Sequence, residues 1–385
     1  MADQLSRTAR ILFVCGLLAG VFEFRVYPEA FGFGRGFEMA AIARSLVNTG
    51  TFGNPFEPFL TGPTASNPPL YPLILAGFLK LLGPVGTVWA AVLFNILLNA
   101  AIAASLPALS RILFQRELPG GVAGALWILS MRLMPQWDTT TTIAALIAFC
   151  LVSTRDRSGI ASGVLGGAIT LLNPAGALVF VPWVFYLRRG WRYLATVGAL
   201  VVACNVPWVG RNYRAFGAPV LRTNFGYTLY SSNNDCARST LYENSASGCY
   251  ERTHPAANPT EAQLMTSIGE VRYDRLRSRD ALDWMREHSH AFAHLTFARF
   301  VEFWFPDPNI APRAAYAIWF VTLLSVPGIV FMIVRREPGT LYVLAVWLLY
   351  PLMFYIVVSC DRYRYPMFWT SLLPAGYFVT TLFRR

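Results

Sequence analysis

Ten apolar segments, each bounded by arginine or by proline and glycine, run through most of this sequence. They cover residues 11–27, 86–110, 119–135, 138–154, 159–173, 174–187, 193–209, 313–334, 339–359 and 366–383. Hydrophobic residues make up 55% of the 385 residues and charged residues only 14%, which excludes a soluble domain. A full crossing needs about 20 residues, so we expect the shorter segments to be tilted, broken or partly inserted. The sequence predicts an all-α polytopic membrane protein with about ten transmembrane helices.

Arginines mark one side of these segments. They lie in short connections and near the termini, at positions 7, 10, 111, 116, 155, 157, 188, 189, 192, 335, 336, 384 and 385. Because cytoplasmic loops are enriched in basic residues, this pattern places both termini in the cytoplasm. The basic start and first apolar run resemble a signal peptide, but no small-x-small cleavage pattern follows before Glu23, so we expect an uncleaved first helix. The net charge of +11 thus comes from arginines that indicate topology, and the sequence has no basic tract that would indicate a nucleic-acid partner.

This topology leaves two long segments on the outer side. We divide the chain into an N-terminal transmembrane module at 1–209, an extracytoplasmic loop region at 210–312 and C-terminal transmembrane helices at 313–385. The first outer segment, 28–85, lies within the N-terminal module. The loop region is expected to be mainly helical, because the Asn258 segment begins with a helix-capping pattern.

Two cysteines lie close together in the second outer segment. An oxidising compartment favours a disulfide between Cys236 and Cys249, and the alternative is two free thiols in a polar loop.

The first outer segment places an acid near the membrane surface. Glu38 begins a short stretch in which Met39, Ile42, Ala43, Leu46 and Val47 form one apolar stripe at helical spacing. A second apolar helix is predicted to begin near Leu70, after two prolines, and to end at Gly83. Two interfacial helices joined by a loop rich in proline and glycine would form a polar pocket over the bilayer.

Several stretches, taken in order, resemble a family of membrane enzymes. An acid soon after the first span is followed by IARSL at 42–46, by PPLYP at 68–72 and by a helix that ends in KLLG. PWVGRNYRAFGAPVLRTNFGY at 207–227 and DRYRYP at 361–366 follow later. Together they resemble glycosyltransferases of the C superfamily (GT-C), in particular the bacterial branch related to protein O-mannosyltransferases and lipid A aminoarabinose transferases. The resemblance covers most of the chain.

The resemblance implies that a sugar moves from a polyprenyl phosphate to an acceptor, with inversion, outside the bacterial cytoplasmic membrane. Such a reaction needs a carboxylate to accept the acceptor's proton and cations to hold the departing phosphate. Glu38 is the first candidate for the base, with Glu29 and Glu23 as alternatives. Members of the family usually place an acid a few residues earlier, where this chain has Arg35 and Gly36.

A second acid is expected in the turn between the third and fourth spans, where the chain has Asp138. Its alternative role is a helix cap, because threonines and an apolar run follow it. The candidates for binding the donor phosphate are four arginines at outer helix ends or in the outer loop: Arg211, Arg222, Arg362 and Arg364. The candidates for the substrate pocket are Asn67, Tyr71, Asn212, Tyr213 and Tyr363. Asn67 stands where aminoarabinose transferases have a lysine.

We expect no required cofactor, and nothing in the sequence supports a divalent cation. His290 and His294 have metal-ligand spacing, but no further ligand lies near them, so a surface pair is the simpler interpretation. The expected partners are a polyprenyl-phosphate-linked sugar, a lipid, glycan or protein acceptor, and membrane lipids. The alternatives are an inactive relative, or a carrier or flippase for a lipid-linked precursor. A carrier is expected to show repeated halves and charges in mid-span, of which Arg132 is the nearest case.

Overall fold

The computed structural model describes residues 6–33 and 37–383. Its regular elements are all helices, and the described residues form no strand beyond two isolated β-bridges. The all-α class predicted from the sequence is therefore confirmed. Arg35 and Gly36, together with the terminal Arg384 and Arg385, lie outside the described residues.

The helices follow the predicted order. Those before the outer loop are α1 (Arg7–Val26), α2 (Glu38–Thr49), α3 (Leu70–Phe114), α4 (Leu118–Ser130), α5 (Thr139–Arg155), α6 (Ile160–Leu172), α7 (Ala177–Tyr186) and α8 (Trp191–Phe216). The outer loop contains α9 (Phe225–Ser232), α10 (Leu241–Ala246), α11 (Cys249–Thr253), α12 (Pro259–Ile268), α13 (Glu270–Glu287) and α14 (Ser289–Trp304). The last helices are α15 (Pro312–Val334), α16 (Thr340–Leu349), α17 (Leu352–Tyr355) and α18 (Tyr365–Leu382). Three short 3₁₀ helices cover Pro28–Phe31, Pro174–Gly176 and Asp361–Arg364.

Among the described residues, three helices are long and apolar enough to cross a membrane: α3, α8 and α15. Five further apolar helices have only 10–17 residues: Leu118–Ser130, Thr139–Arg155, Ile160–Leu172, Pro174–Tyr186 and Thr340–Tyr355. At 1.5 Å per residue, helices of that length fall short of the roughly 30 Å hydrocarbon core. The helical membrane class is thus supported, whereas the predicted count of about ten spans is not confirmed.

The long helix α3 changes direction at the predicted place. Gly83 has φ 69° and non-helical geometry, so residues 70–82 and 84–114 form two separate helical segments. A positive φ favours glycine, and Pro84 can begin the second segment because the first turn of a helix does not need its N–H group. The helix predicted from Leu70 to Gly83 is therefore confirmed.

The connections that carry arginine meet at one end of the helix bundle. Arg189, after α7, donates to the carbonyl oxygen of Thr154 near the end of α5, at 2.8 Å. The amide of Gly339, before α16, donates to the carbonyl oxygen of Leu113 near the end of α3, at 3.1 Å. We call this the arginine end. Its composition fits the predicted cytoplasmic side.

Two predicted features, a disulfide and a helix cap, stabilise the outer loop at residues 210–312. Cys236 and Cys249 form a disulfide with a Cα–Cα distance of 5.5 Å. The Asn258 side chain accepts hydrogen bonds from the backbone amides of Thr260 and Glu261, which confirms the predicted helix start. The helical region then breaks at Gly269, where φ is 85°, and continues as α13.

Cysteine labelling tests the predicted orientation. In a background lacking Cys15, Cys204 and Cys360, Gly190→Cys reports on the arginine end and Tyr242→Cys reports on the outer loop. Gly190 has open space for a new Cβ, and Tyr242 is exposed. We expect an impermeant maleimide to label Tyr242→Cys in intact spheroplasts and Gly190→Cys only after lysis. The reverse pattern would invert the topology.

Candidate functional site

A polar cavity of about 560 Å³ lies where the outer segments meet the helix bundle. Its lining residues are selected positions within five parts of the chain: 37–68, 132–139, 173–175, 222–254 and 350–366. Helices α5 and α16 each run from the arginine end to this cavity. The cavity thus lies at the opposite end of the bundle, which is the predicted outer side.

Six of the residues selected from the sequence line this cavity: Glu38, Asn67, Asp138, Arg222, Arg362 and Tyr363. They come from four of the five contributing regions and are far apart in the sequence. Folding therefore brings both carboxylate candidates and two of the four candidate arginines to one place.

Glu38 is the first residue of α2 and is partly accessible. The Nδ2 atom of Asn67 donates a hydrogen bond to the Oε2 atom of Glu38, at 2.9 Å. Within residues 6–33 and 37–383 this is the one hydrogen bond to the Glu38 carboxylate, so Oε1 is left for a ligand. The N-terminus of α2 also stabilises the negative charge at this position.

Asp138 occupies the N-cap position of α5, but its side chain makes no capping hydrogen bond. The Thr142 hydroxyl donates to the Oδ2 atom of Asp138, at 3.4 Å. The carboxyl is 8% exposed and experiences the charges of Arg362 and Arg222. The predicted position at the start of α5 is confirmed, whereas the side chain makes no capping hydrogen bond and instead experiences the charges of two arginines.

Two of the three arginines that line the cavity, Arg222 and Arg362, are held by contacts other than ion pairs. Arg222 donates from Nε to the carbonyl oxygen of Ser66, at 2.8 Å. The Arg362 guanidinium carbon lies 3.4 Å from the centroid of the Trp137 ring, a cation–π contact, and it also neighbours Tyr363. In the described part of the chain, neither guanidinium forms an ion pair. Partly desolvated arginines of this kind suit an anionic ligand.

The other two candidate arginines lie outside the cavity lining. Arg211 donates to the carbonyl oxygens of Phe52 and Thr64, at 2.6 and 2.7 Å, and so holds the first outer segment against α8. Arg364 is 1% exposed and donates to the carbonyl oxygen of Trp304, at 3.0 Å. These two candidates therefore lie outside the cavity lining and donate to other groups of the protein, Arg364 also to the Thr322 hydroxyl at 2.7 Å.

Three of the five pocket candidates, Tyr71, Asn212 and Tyr213, lie outside the cavity lining. The Tyr71 hydroxyl is buried and donates to the carbonyl oxygen of Pro135, at 2.5 Å. Asn212 is buried and donates to the carbonyl oxygen of Val220, at 2.8 Å. Tyr213 is 59% exposed. These residues do not line the cavity, although Tyr71 supports the turn that carries Asp138.

Of the two alternative bases, Glu23 and Glu29, the structure describes the side chain of Glu23 only. Glu23 is buried near the end of α1, where its Oε1 atom accepts the Leu133 amide at 3.3 Å and lies 3.9 Å from Arg313. It is absent from the cavity lining. Glu29 lies in the 3₁₀ helix Pro28–Phe31, and its side chain is outside the described residues.

Sequence reasoning missed an ion pair in the cavity wall. Arg132, singled out above as a charge within a span, pairs with Asp361, which is 229 residues away. Asp361 also accepts the backbone amide of Arg362, at 2.8 Å, and so helps to fix that arginine. No sequence signal links residues at this separation.

No group of three or more His, Cys, Asp or Glu side chains among the described residues is arranged to hold a metal ion. His290 and His294 are both exposed on α14.

A buried acid joins the two outer segments behind the cavity. Glu270 Oε1 accepts the Ala65 amide at 2.7 Å and the Thr223 hydroxyl. Burial raises the pKa of the Glu270 carboxyl, and these hydrogen bonds partly offset that shift. Asn67 lies two residues after Ala65, and Arg222 directly precedes Thr223. Glu270 therefore positions both cavity side chains without lining the cavity.

No known protein family and no curated protein matches this chain.

Removing Glu270 should destabilise the protein. Glu270→Ala leaves the Ala65 amide and the Thr223 hydroxyl without their partner, at a cost of about 1–3 kcal/mol for each buried group. The exposed Glu251→Ala change should alter stability by less than about 0.5 kcal/mol. Urea unfolding of the detergent-purified protein measures both. Equal stabilities of the two variants would show that Glu270 does not hold the outer segments together.

Proposed function

We propose that this protein is a glycosyltransferase that moves a sugar from a polyprenyl-phosphate donor to an acceptor on the extracytoplasmic face of a bacterial cytoplasmic membrane, with inversion. The observation that carries the proposal is the cavity itself. It combines the accessible carboxylate of Glu38 with two arginines, Arg222 and Arg362, that have no ion-pair partner among the described residues. It also lies at the end of an apolar helix bundle.

The chemistry assigns each group a step. Glu38 accepts the proton of the acceptor hydroxyl through its Oε1 atom as that oxygen attacks the anomeric carbon. The bond between this carbon and the phosphate oxygen breaks from the opposite face, and its electron pair leaves with the phosphate. Arg222 and Arg362 stabilise the charge that develops on the departing phosphate.

Different surroundings favour different roles for the two carboxylates. Asp138 is buried and experiences the charges of Arg362 and Arg222 without an ion pair to either, so it suits electrostatic stabilisation of these cations. Glu38 has a neutral amide partner in Asn67 and is more accessible, so it suits proton transfer. We therefore assign the base to Glu38 and a positioning role to Asp138.

An apolar groove beside the cavity supports a lipid-linked donor. The groove measures about 830 Å³ and lies between α7 and α16, with Arg188 near the arginine end. Ala177 and Leu349 line the groove, while Ala175 and Tyr350, two and one residues away, line the cavity. A polyprenyl chain in the groove would thus place its phosphate at the mouth of the polar cavity.

The direct test of the proposal is turnover. Purified protein is incubated with polyprenyl-phosphate hexoses and pentoses together with lipid, glycan and peptide acceptors. Release of polyprenyl phosphate that requires an acceptor supports the transferase. A carrier would move the lipid-linked sugar across proteoliposomes without releasing polyprenyl phosphate, and that result would replace the proposal.

Glu38→Gln should lower turnover by about 10²–10⁴-fold, because it keeps the size of the side chain and its contact with Asn67 but removes the basic oxygen. Glu251→Gln, an exposed acid of the outer loop, is the matched control and should retain activity. Near-normal turnover of Glu38→Gln, with loss in Glu29→Gln or Asp138→Asn, would assign the base to one of those residues.

Arg222→Gln and Arg362→Gln should each weaken binding of polyprenyl phosphate by at least about tenfold, since each removes a charged donor from the cavity. Arg238→Gln changes an exposed arginine of the same outer loop outside the cavity lining, and should bind like the parent protein. Binding is measured by thermophoresis in detergent. A similar loss in all three variants would indicate a general charge effect instead of a phosphate site.

A further inference from the structure

An aromatic cluster forms part of the cavity wall next to Arg222. Tyr250 and His254 stack in parallel, with ring centroids 4.5 Å apart and an interplanar angle of 16°. The edge of Tyr227 packs against His254 at 5.3 Å, and Phe56 packs against it at 5.7 Å. The two tyrosines and the histidine line the cavity, while Phe56 lies behind them.

His254 has one nitrogen committed to the protein and one available. Its Nδ1 atom accepts the backbone amide of Ala256, at 3.1 Å, so the proton of the neutral ring is on Nε2. Burial lowers the pKa of His254 to about 3, and the ring is therefore uncharged at neutral pH. Across residues 6–33 and 37–383, no protein atom accepts a hydrogen bond from Nε2. This N–H group is thus left for a ligand in the cavity.

The cluster lines the same cavity as two groups proposed to act on the donor, Glu38 and Arg222. The charge of Glu38 acts on Tyr227 and on Tyr250, and the charge of Arg222 acts on Tyr227. In a polyprenyl-phosphate sugar, a single oxygen joins the phosphorus to the anomeric carbon. A phosphate that contacts Arg222 therefore keeps its sugar within the cavity that this aromatic wall lines.

We propose that Tyr250 and His254 form the subsite for the sugar ring of the donor, an uncharged hexose or pentose. The inference rests on the proposed function and adds the chemical class of the sugar. His254 donates its Nε2–H to a sugar hydroxyl oxygen, and the half-buried Tyr250 ring covers a face of C–H groups. The carboxylate of Glu38 close by disfavours a uronic acid, because two negative charges would share a partly desolvated cavity.

Binding measurements distinguish the contribution of the sugar to affinity from that of the lipid phosphate. The probes are bare polyprenyl phosphate and the same lipid carrying mannose, glucose, arabinose or glucuronate. We expect the parent protein to bind at least one neutral glycolipid about fivefold or more tightly than the bare phosphate, as one added hydrogen bond allows, and to show no such gain for glucuronate. His254→Phe keeps an aromatic ring without the donor, and Tyr250→Leu removes the ring. Both should lose most of the gain while binding bare polyprenyl phosphate within about twofold of the parent.

His288→Phe is the matched control, because His288 is exposed at the end of α13 and does not line the cavity. Thermal melting and mapping of the Cys236–Cys249 disulfide check that each variant is folded. An unchanged gain in His254→Phe and Tyr250→Leu would overturn the subsite while leaving the phosphate site intact. If His254→Phe and Tyr250→Leu change only the KM for the acceptor in the turnover assay, the wall belongs to the acceptor site and the inference is overturned. If the parent binds neither bare nor glycosylated lipid, the proposed function fails as well.

Discussion

The cavity depends on hydrogen bonds between two outer segments that are about 150 residues apart in the sequence. Arg222 donates to the carbonyl oxygen of Ser66, and Arg211 donates to that of Thr64. Glu270 accepts from both segments at once. These contacts bring the loop that carries Asn67 to the loop that carries Arg222. Without them, the carboxylate held by Asn67 and the cation of Arg222 would not face a common space, so this junction determines the chemistry of the site.

Local features of the fold were predictable from the sequence, because they depend on neighbouring residues. Each predicted apolar segment contains a helix, Gly83 breaks α3, and Asn258 caps α12. The number of transmembrane helices was harder to predict, because the sequence of an apolar segment does not show how many of its residues are helical. The segment at 339–359 illustrates this point, since α16 ends at Leu349 before a proline.

The membership of the site was only partly predictable. An arginine at an outer helix end has the same sequence signature whether it meets a ligand or a backbone carbonyl. Arg222 and Arg362 line the cavity, whereas Arg364 is buried against Trp304. The wall of Tyr250 and His254 had no signal, since its geometry arises from the folding of the disulfide-linked loop. Long-range contacts, not residue type, decide between these outcomes.

In the proposed function, a lipid phosphate binds at the junction of the polar cavity and the apolar groove. The most direct measurement is an electron cryomicroscopy structure of the protein with polyprenyl phosphate. We expect phosphate density within hydrogen-bond distance of the Arg222 and Arg362 guanidinium groups, with chain density between α7 and α16. Phosphate density at other arginines, or a chain elsewhere on the bundle while the cavity stays free of phosphate, would contradict it.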